Sequence, residues 1–394
     1  MAAVRERFPG DADVATLYAE AMMDTRPWDQ WTHDGQPQPG TAEVLAALDS
    51  ALAIAPDHPG ALHLTIHALE ASPQPERAAE AADRLRTLVP DSSHLLHMPS
   101  HIDVRLGQWA KAAAVNELAA AADARYAARQ PQIGFYRLYM AHNVHFIVFT
   151  AMMEGRREVA LENAREITRR LPPETVRENP LFFDAYLTVE PDTYKRFGMW
   201  EEILALPPPP ADFPVSTAFH HFARATALAA SGRVEEARRE RSLFHAALPK
   251  IPKEAFWGSN TAVAVLAPAV PYLDGEIAYR EGKYDQAVAK LGEAVALEDE
   301  LKYDEPPPWT TPSRHALGAV LLEAKRPADA EAVYRADLKR YPLNGWSLWG
   351  LERALEAQGR NADAAAVKAQ FDATWSRADT KMVSSCLCVK PGRS

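Results

Sequence analysis

Apolar residues recur along this chain at intervals of three and four, and no stretch sustains a two-residue alternation. That pattern predicts amphipathic helices and almost no sheet. The helices are punctuated by a recurring phrase: a turn residue, a few polar residues, then an Ala-rich amphipathic run. It reads S-P-Q-P-E-R-A-A-E at Ser72, L-G-Q-W-A-K-A-A-A at Leu106, E-G-R-R-E-V-A-L-E at Glu154 and F-G-M-W-E-E-I-L-A at Phe197. It returns as S-G-R-V-E-E-A-R-R at Ser231, E-G-K-Y-D-Q-A-V-A at Glu281, A-K-R-P-A-D-A-E-A at Ala324 and Q-G-R-N-A-D-A-A-A at Gln358. The Gly of the phrase can adopt positive φ and end one helix, and the small Ala lets the next pack close. Each unit is therefore expected to be helix A, turn, helix B, repeating at about 33–34 or about 43–50 residues.

The units G-K-Y-D-Q-A-V-A-K-L-G-E-A-V-A-L (Gly282 to Leu297) and Gly345 to Phe371 resemble the tetratricopeptide repeat (TPR). The likeness extends over most of the chain from about Thr41, though units of more than 40 residues depart from the usual 34. A narrower resemblance is to bacterial TPR proteins with the phrases R-P-W-D-x-W, H-P-G-A-x-H and H-M-P-S-H-I, here Arg26 to Trp31, His58 to His63 and His97 to Ile102. The resemblance implies an all-α, TPR-like helical-hairpin solenoid, a right-handed superhelix whose A helices line the concave side. Residues 1–394 would form one solenoid, with His-bearing repeats at 41–206, further repeats at 215–375 and a tail at 376–394. Pro207 to Pro214 must be an extended connector. Arg26 to Gly35 and Tyr303 to Pro312 read as rigid loops, of the kind that often serve as lids or binding loops.

A length of 394 residues is long for one compact globule and fits a repeat array. The net charge of −10 argues against a nucleic-acid partner, whose phosphates need a basic face. No apolar run is long enough for a bilayer, so no membrane partner is expected. The opening M-A-A-V-R-E-R-F-P-G has no leader-like apolar core and reads as the middle of a helical unit. Two cysteines, Cys386 and Cys388, are too few for a disulfide framework and wrongly spaced for a C-x-x-C motif. They favour a reducing, cytoplasmic setting and a disordered tail over a soft-metal site.

The candidate chemistry is histidine. Seven of the thirteen histidines fall in H-L-T-I-H (His63, His67), H-L-L-H-M-P-S-H (His94, His97, His101) and H-N-V-H (His142, His145). Spacings of three and four put two imidazoles on one helix face, about 5–6 Å apart at Cβ, as a helix does to grip a metal from one side. Counted back from the turn phrases, His63, His97, His145, His220 or His221 and His315 lie at nearly equal depth in their A helices. Neighbouring helices pack roughly 8–10 Å apart, so such residues can meet. The expected metal ligands are His63, His67, His97, His101, His142 and His145. His33, His58, His94 and His245 fit structural roles better, His58 as a turn residue and His94 as a helix-start residue.

All-imidazole ligation suits a transition metal, copper favoured over iron or zinc on intrinsic affinity. No Cys ligand joins the phrases, and the H-x-x-x-H here lacks the Glu of a zinc peptidase. Glu70, three residues after His67, is the candidate carboxylate; Asp103 is poorer, and Met98 beside Pro99 reads as packing. Phe135, Tyr136, Tyr139, Phe146 and Phe149 read mostly as core, with one or two free to wall a small-molecule pocket. Arg137 or Arg105 could steer an anionic group into it. Phosphate-loop, dinucleotide and nucleophile-elbow motifs are missing.

The first functional reading is a metal-dependent enzyme with a His-rich centre, using redox or oxygen chemistry on a small molecule, with Glu70 and Arg137 as its catalytic residues. The alternatives are a TPR scaffold binding a peptide or protein partner, and metal binding without turnover.

Overall fold

The computed structural model describes residues 1–130 and 133–389. They form two compact units that divide at Gly134 and Phe135. The first holds α1 (Ala2–Arg7), α2 (Ala12–Met23), α3 (Thr41–Ile54), α4 (Pro59–Glu70), α5 (Ala79–Leu85), α6 (Ser93–His97), α7 (Pro99–Arg105) and α8 (Trp109–Arg129). The second holds α9 (Arg137–Met153), α10 (Arg157–Arg170), the short α11 (Pro173–Glu178) and α12 (Pro180–Phe183), α13 (Val189–Arg196) and α14 (Trp200–Ala205). It continues through α15 (Pro214–Ala230), α16 (Val234–Ala247), α17 (Ala262–Leu266), α18 (Ala269–Arg280), α19 (Tyr284–Asp299), α20 (Ser313–Glu323), α21 (Pro327–Arg340), α22 (Gly345–Ala357) and α23 (Asn361–Thr374). The only strands among the described residues are β1 (Phe256–Trp257) and β2 (Asn260–Thr261), a minimal antiparallel hairpin.

The architecture is all-α and TPR-like. In the second unit α15 packs on α16, α18 on α19, α20 on α21 and α22 on α23, while α16 meets α18, α19 meets α20 and α20 meets α22. Each hairpin thus buries one face against its own partner and another against the next, which is how a repeat array builds a core no single repeat could close. The turn phrase works as its residues suggest: Gly107 and Gly282 sit at φ 71° and 74°. In the A-K-R-P phrase Lys325 takes the same left-handed conformation, at φ 60°, without being glycine. Close approach is visible around Tyr334 on α21. A Cβ at Gly318 or Gly350 would lie 2.4 or 2.2 Å from its ring, so α20 and α22 can both press on it.

Two expectations about organisation are corrected. Pro207 to Pro214 is non-helical up to the first residue of α15, but it divides nothing, because α14 and α15 on its two sides pack together. The boundary falls instead at Gly134, which puts His142 and His145 in the second unit. The tail is also ordered as far as the described residues reach. Ser384 to Cys386, Cys388 and Val389 are buried in the core of the second unit, and residues 390–394 lie outside the described set. Tyr334 and Ser385 share a hydrogen bond of 2.7 Å, and Ser385 Oγ donates to the His315 carbonyl at 2.9 Å. The expected free thiols are joined: Cys386 and Cys388 form a disulfide, with Cα atoms 5.1 Å apart, well inside the permitted span.

Among the described residues no helix is long and apolar enough to cross a membrane.

Candidate metal centre

The first unit gives α4 three jobs at once. Ala61, Leu64 and Ala68 pack against α2 and α3. Leu62, Ile66 and Leu69 pack against α5 and the Met98 and Ile102 side chains. The face left over carries His63, His67 and Glu70, at the i, i+4, i+7 spacing of one helical stripe. His58 caps the helix, its Nδ1 accepting the Ala61 N–H at 3.0 Å while Nε2 meets Asp13 at 2.8 Å. It is thus the turn residue its position suggested.

The opposing stripe comes from α6 and α7. Ser92 caps α6, its Oγ accepting the Leu95 N–H. Pro99 occupies the first position of α7, where its missing N–H costs nothing. Met98 and Ile102 turn into the core, and Asp103 is locked in a two-pronged pair with Arg86 at 2.8 and 2.5 Å. His94, His97 and His101 then lie at i, i+3, i+7, and the packing of α4 on α7 brings them to the imidazoles of α4.

The resulting geometry is tight. His63 Nε2 and His94 Nε2 are 3.1 Å apart, and ligand atoms of His63, His67 and His94 all lie within 4.8 Å of one another. His97 Nε2 and His101 Nε2 are 2.8 Å apart. Ring centroids of His67 and His101 are separated by 5.6 Å, so the two groups are neighbours.

The outer nitrogens fix the tautomers. His97 Nδ1 lies 2.8 Å from Asn116 Oδ1, and Asn116 Nδ2 donates to the Ala112 carbonyl at 2.8 Å, which orients the amide with its oxygen toward the ring. His101 Nδ1 lies 2.6 Å from Glu70 Oε2, and His67 Nδ1 lies 3.0 Å from Glu70 Oε1. His97 therefore donates Nδ1–H to Asn116 and turns an Nε2 lone pair inward, while the Nδ1 atoms of His67 and His101 face the Glu70 carboxylate as ion pairs. At 2.8 Å the Nε2 atoms of His97 and His101 are close enough to share one proton, a place that a cation held by both nitrogens would take over. Carboxylate and amide partners behind ligating imidazoles are the usual outer support of a metal site.

Burial favours the uncharged form of two of the rings, His63 and His94. Burial, with His67 and His94 alongside, pulls His63 down to about 2, and burial likewise holds His94 at about 4. Burial pushes Glu70 up, but His101 and His67 outweigh it and hold its carboxyl well below the usual range.

Of the expected ligands, His63, His67, His97 and His101 come together with Glu70. His94, assigned from sequence to a helix start, belongs with them; its i+3 and i+7 relation to His97 and His101 was the signal for it. His142 and His145 stand on α9 of the second unit. They line a small pocket of about 40 Å³ with Phe182, Tyr186, Asp304 and Glu305, so the Tyr303 to Pro312 loop does wall a pocket. Burial lowers His145 to about 4.

Other candidates resolve into structural roles. Arg105 donates to the carbonyls of Glu70 and Ser72 at the end of α4. His315 is fully buried, with Nε2 2.9 Å from Asp337 Oδ2 and Nδ1 3.0 Å from Arg196 Nη1. His221 meets Glu240 at 2.7 Å. Phe146 and Phe149 are core as expected, whereas Phe135 and Tyr139 are exposed and Tyr136 half-buried. Arg137 opens α9, half-buried.

The Arg26 to Gly35 loop reaches the centre. Trp31 Nε1 donates to the Ala68 carbonyl of α4 at 2.7 Å, which anchors the loop. Trp28, held at φ 50° and 64% exposed, then presents its ring edge-on to His67 with centroids 6.5 Å apart.

No protein-family model matches the chain, and no curated protein matches it. Among solved structures it is similar to a chain of the structure of Naa15/Naa10 bound to HypK-THB, at 14% identity and a TM-score of 0.34, covering 94% of this chain and 59% of that one. It is also similar to a chain of the APC/C hetero-tetramer Cut9-Hcn1, at 10% identity and a TM-score of 0.26, covering 91% of this chain and 96% of that one. The chain thus spans 59% of the length of the first of these. Likeness at this level says nothing of what the histidines do, and the case for the centre rests on its own geometry.

Proposed function

We propose that the first unit binds a transition metal, copper before iron or zinc, through His63, His67 and His94 and through the adjoining His97 and His101. The observation that carries this reading is the pair of inward Nε2 atoms 2.8 Å apart whose outer Nδ1 atoms are already committed to Asn116 and Glu70. A cation held by both would replace the proton they share, and ligands at about 2.0 Å in a right-angled arrangement stand about 2.8 Å apart. Bound copper or iron would supply redox and oxygen chemistry, and a small-molecule substrate is part of the reading. Glu70 then serves as the orienting carboxylate for two imidazoles and Trp28 as a wall beside His67. A cytoplasmic site of action goes with this reading.

The test is metal analysis of untagged protein after separate loading with copper, iron and zinc, repeated on His97→Ala. Stoichiometric metal in the parent, lost or sharply reduced in the variant, is the expected result; a metal-free parent under all three loadings ends the reading. Oxygen consumption by the loaded protein with a candidate reductant separates turnover from simple binding.

The repeat architecture favours a second reading, a scaffold that takes a peptide or protein on its helical faces. A stoichiometric partner retained equally by the parent and by His97→Ala would support it.

A further inference from the structure

The strap of chain from Ser384 to Val389 lies against α18, and the two meet in a second cluster of ligand-type side chains. Tyr272, Glu276 and Arg280 follow one another at intervals of four along α18 and so share a face. Tyr272 Oη is 3.7 Å from Cys386 Sγ and 3.8 Å from Cys388 Sγ. Arg280 Nη2 donates to the Cys388 carbonyl and holds the strap down. Ligand atoms of Glu276, Cys386 and Cys388 all lie within 4.8 Å of one another, and all three residues are buried.

Glu276 is the anomaly. Its side chain is fully buried, yet neither Oε1 nor Oε2 has a hydrogen-bond partner among the described residues. Leaving a buried acceptor unmade costs about 1–3 kcal/mol, more for a charged group. The sulfurs beside it are joined as a disulfide, which has no hydrogen to give. A carboxylate facing two sulfurs that could both be thiolates is a donor set for a cation. Around zinc, two sulfurs at about 2.3 Å and an oxygen at about 2.0 Å stand roughly 3.3–3.8 Å from one another, a separation compatible with this clustering. Two thiolates and a carboxylate carry three negative charges; a divalent cation with Arg280 and Lys195, the two cations acting on Glu276, offsets them.

We propose that Glu276, Cys386 and Cys388 form a second metal site, which takes a thiophilic divalent cation, zinc by class, when the two sulfurs are reduced. Reduction by a phosphine breaks the S–S bond: the phosphine takes its oxygen from water, and the two protons of that water end on the two thiols. Binding of the cation then releases those two protons. The site is independent of the histidine centre, because its ligands are sulfur and a different carboxylate.

The experiment uses the full chain reduced with a water-soluble phosphine and titrated with Co2+ as the spectroscopic probe, then with Zn2+ as competitor. Expected is one equivalent of a thiolate-to-cobalt charge-transfer band, which imidazole and carboxylate ligands do not give, bleached by one equivalent of Zn2+. The band disappears in Cys386→Ser and Cys388→Ser. It persists in Glu276→Gln with at least about tenfold weaker affinity, and is unchanged in His97→Ala. Helical circular dichroism of each variant controls for folding, and Glu276→Gln keeps the shape of the native side chain. Three results overturn the proposal: no band although two thiols titrate, a band indifferent to Glu276→Gln, or a disulfide that the phosphine reduces only when the protein is unfolded.

Discussion

At the scale of single residues, the centre in the first unit is a problem of hydrogen direction. Asn116 on α8 contributes no metal ligand, yet it decides which nitrogen of His97 carries the proton. Asn116→Leu should therefore weaken metal binding about 10–100-fold with His97 itself intact, measured by competition against a chelator of known affinity. A variant that binds as tightly as the parent would mean that the Asn116 contact is only packing. Trp28 offers a second readout. Its ring stands 6.5 Å from that of His67, so Cu2+ in the centre should quench its fluorescence, and Trp28→Phe should remove a distinct part of the copper-dependent quenching. Much of this site was readable from spacing alone: His63 with His67, and His97 with His101, follow directly from i, i+4. His94 was not, because the second residue of a short helix looks like a starting residue until its i+3 and i+7 relations are weighed. Nothing in the local pattern could reveal Asn116, whose role depends on α8 lying behind α6.

At the scale of elements, the turn phrase does the most to set the fold. Six of its occurrences place Gly where a left-handed residue ends helix A, and the A-K-R-P occurrence places Lys325 there at φ 60°. A β-carbon in that conformation costs about 1–2 kcal/mol, partly offset by the extra freedom glycine has when unfolded. Lys325→Gly is thus expected to stabilise the second unit by about 0.5–1 kcal/mol, seen as a higher denaturant midpoint at unchanged slope. A lower midpoint would show that the Lys side chain contributes more than the backbone loses. The long hairpins were legible because their periodicity and their turn residues agree. The pair α11 and α12 was not, since these helices are too short to show a period, and Pro173 and Pro180 start helices there rather than break them. The strap at Cys386 escaped for a related reason. Its burial comes from α18, more than a hundred residues earlier in the chain, and no local signal announces such a contact.

At the scale of the whole molecule, the second unit carries buried acids that make its stability depend on pH. Burial, opposed by Arg340 and by the Ser313 N–H, raises Glu298 to about 7, and burial opposed by Arg280 and Lys195 does the same for Glu276. The folded chain thus keeps protons that the unfolded chain, with ordinary carboxyls, has already released. Their contribution is fully present below the ordinary carboxyl range and is lost as pH rises toward about 7. Asp337, held low mainly by His315 against its own burial, contributes with the opposite sign, so the informative quantity is a difference between two proteins. Glu298→Gln should be more stable than the parent by about 1–3 kcal/mol at about pH 8 and nearly equal to it at about pH 4.5, as read by thermal unfolding. A gain of the same size at both pH values would mean that Glu298 is not the titrating group.

One consequence of how α4 is used bears on how this protein can change over time. All three of its sides are committed, two to hydrophobic neighbours and one to imidazoles and a carboxylate. Insertion or deletion of one residue would rotate everything beyond it by about 100°, sending leucines toward the histidine cluster and histidines into the core together. Such a helix can drift only by exchange of side chains in place. Relatives that keep the chemistry should therefore preserve the length of this segment and confine their gaps to the flanking loops, which gives a way to find them where overall identity has faded.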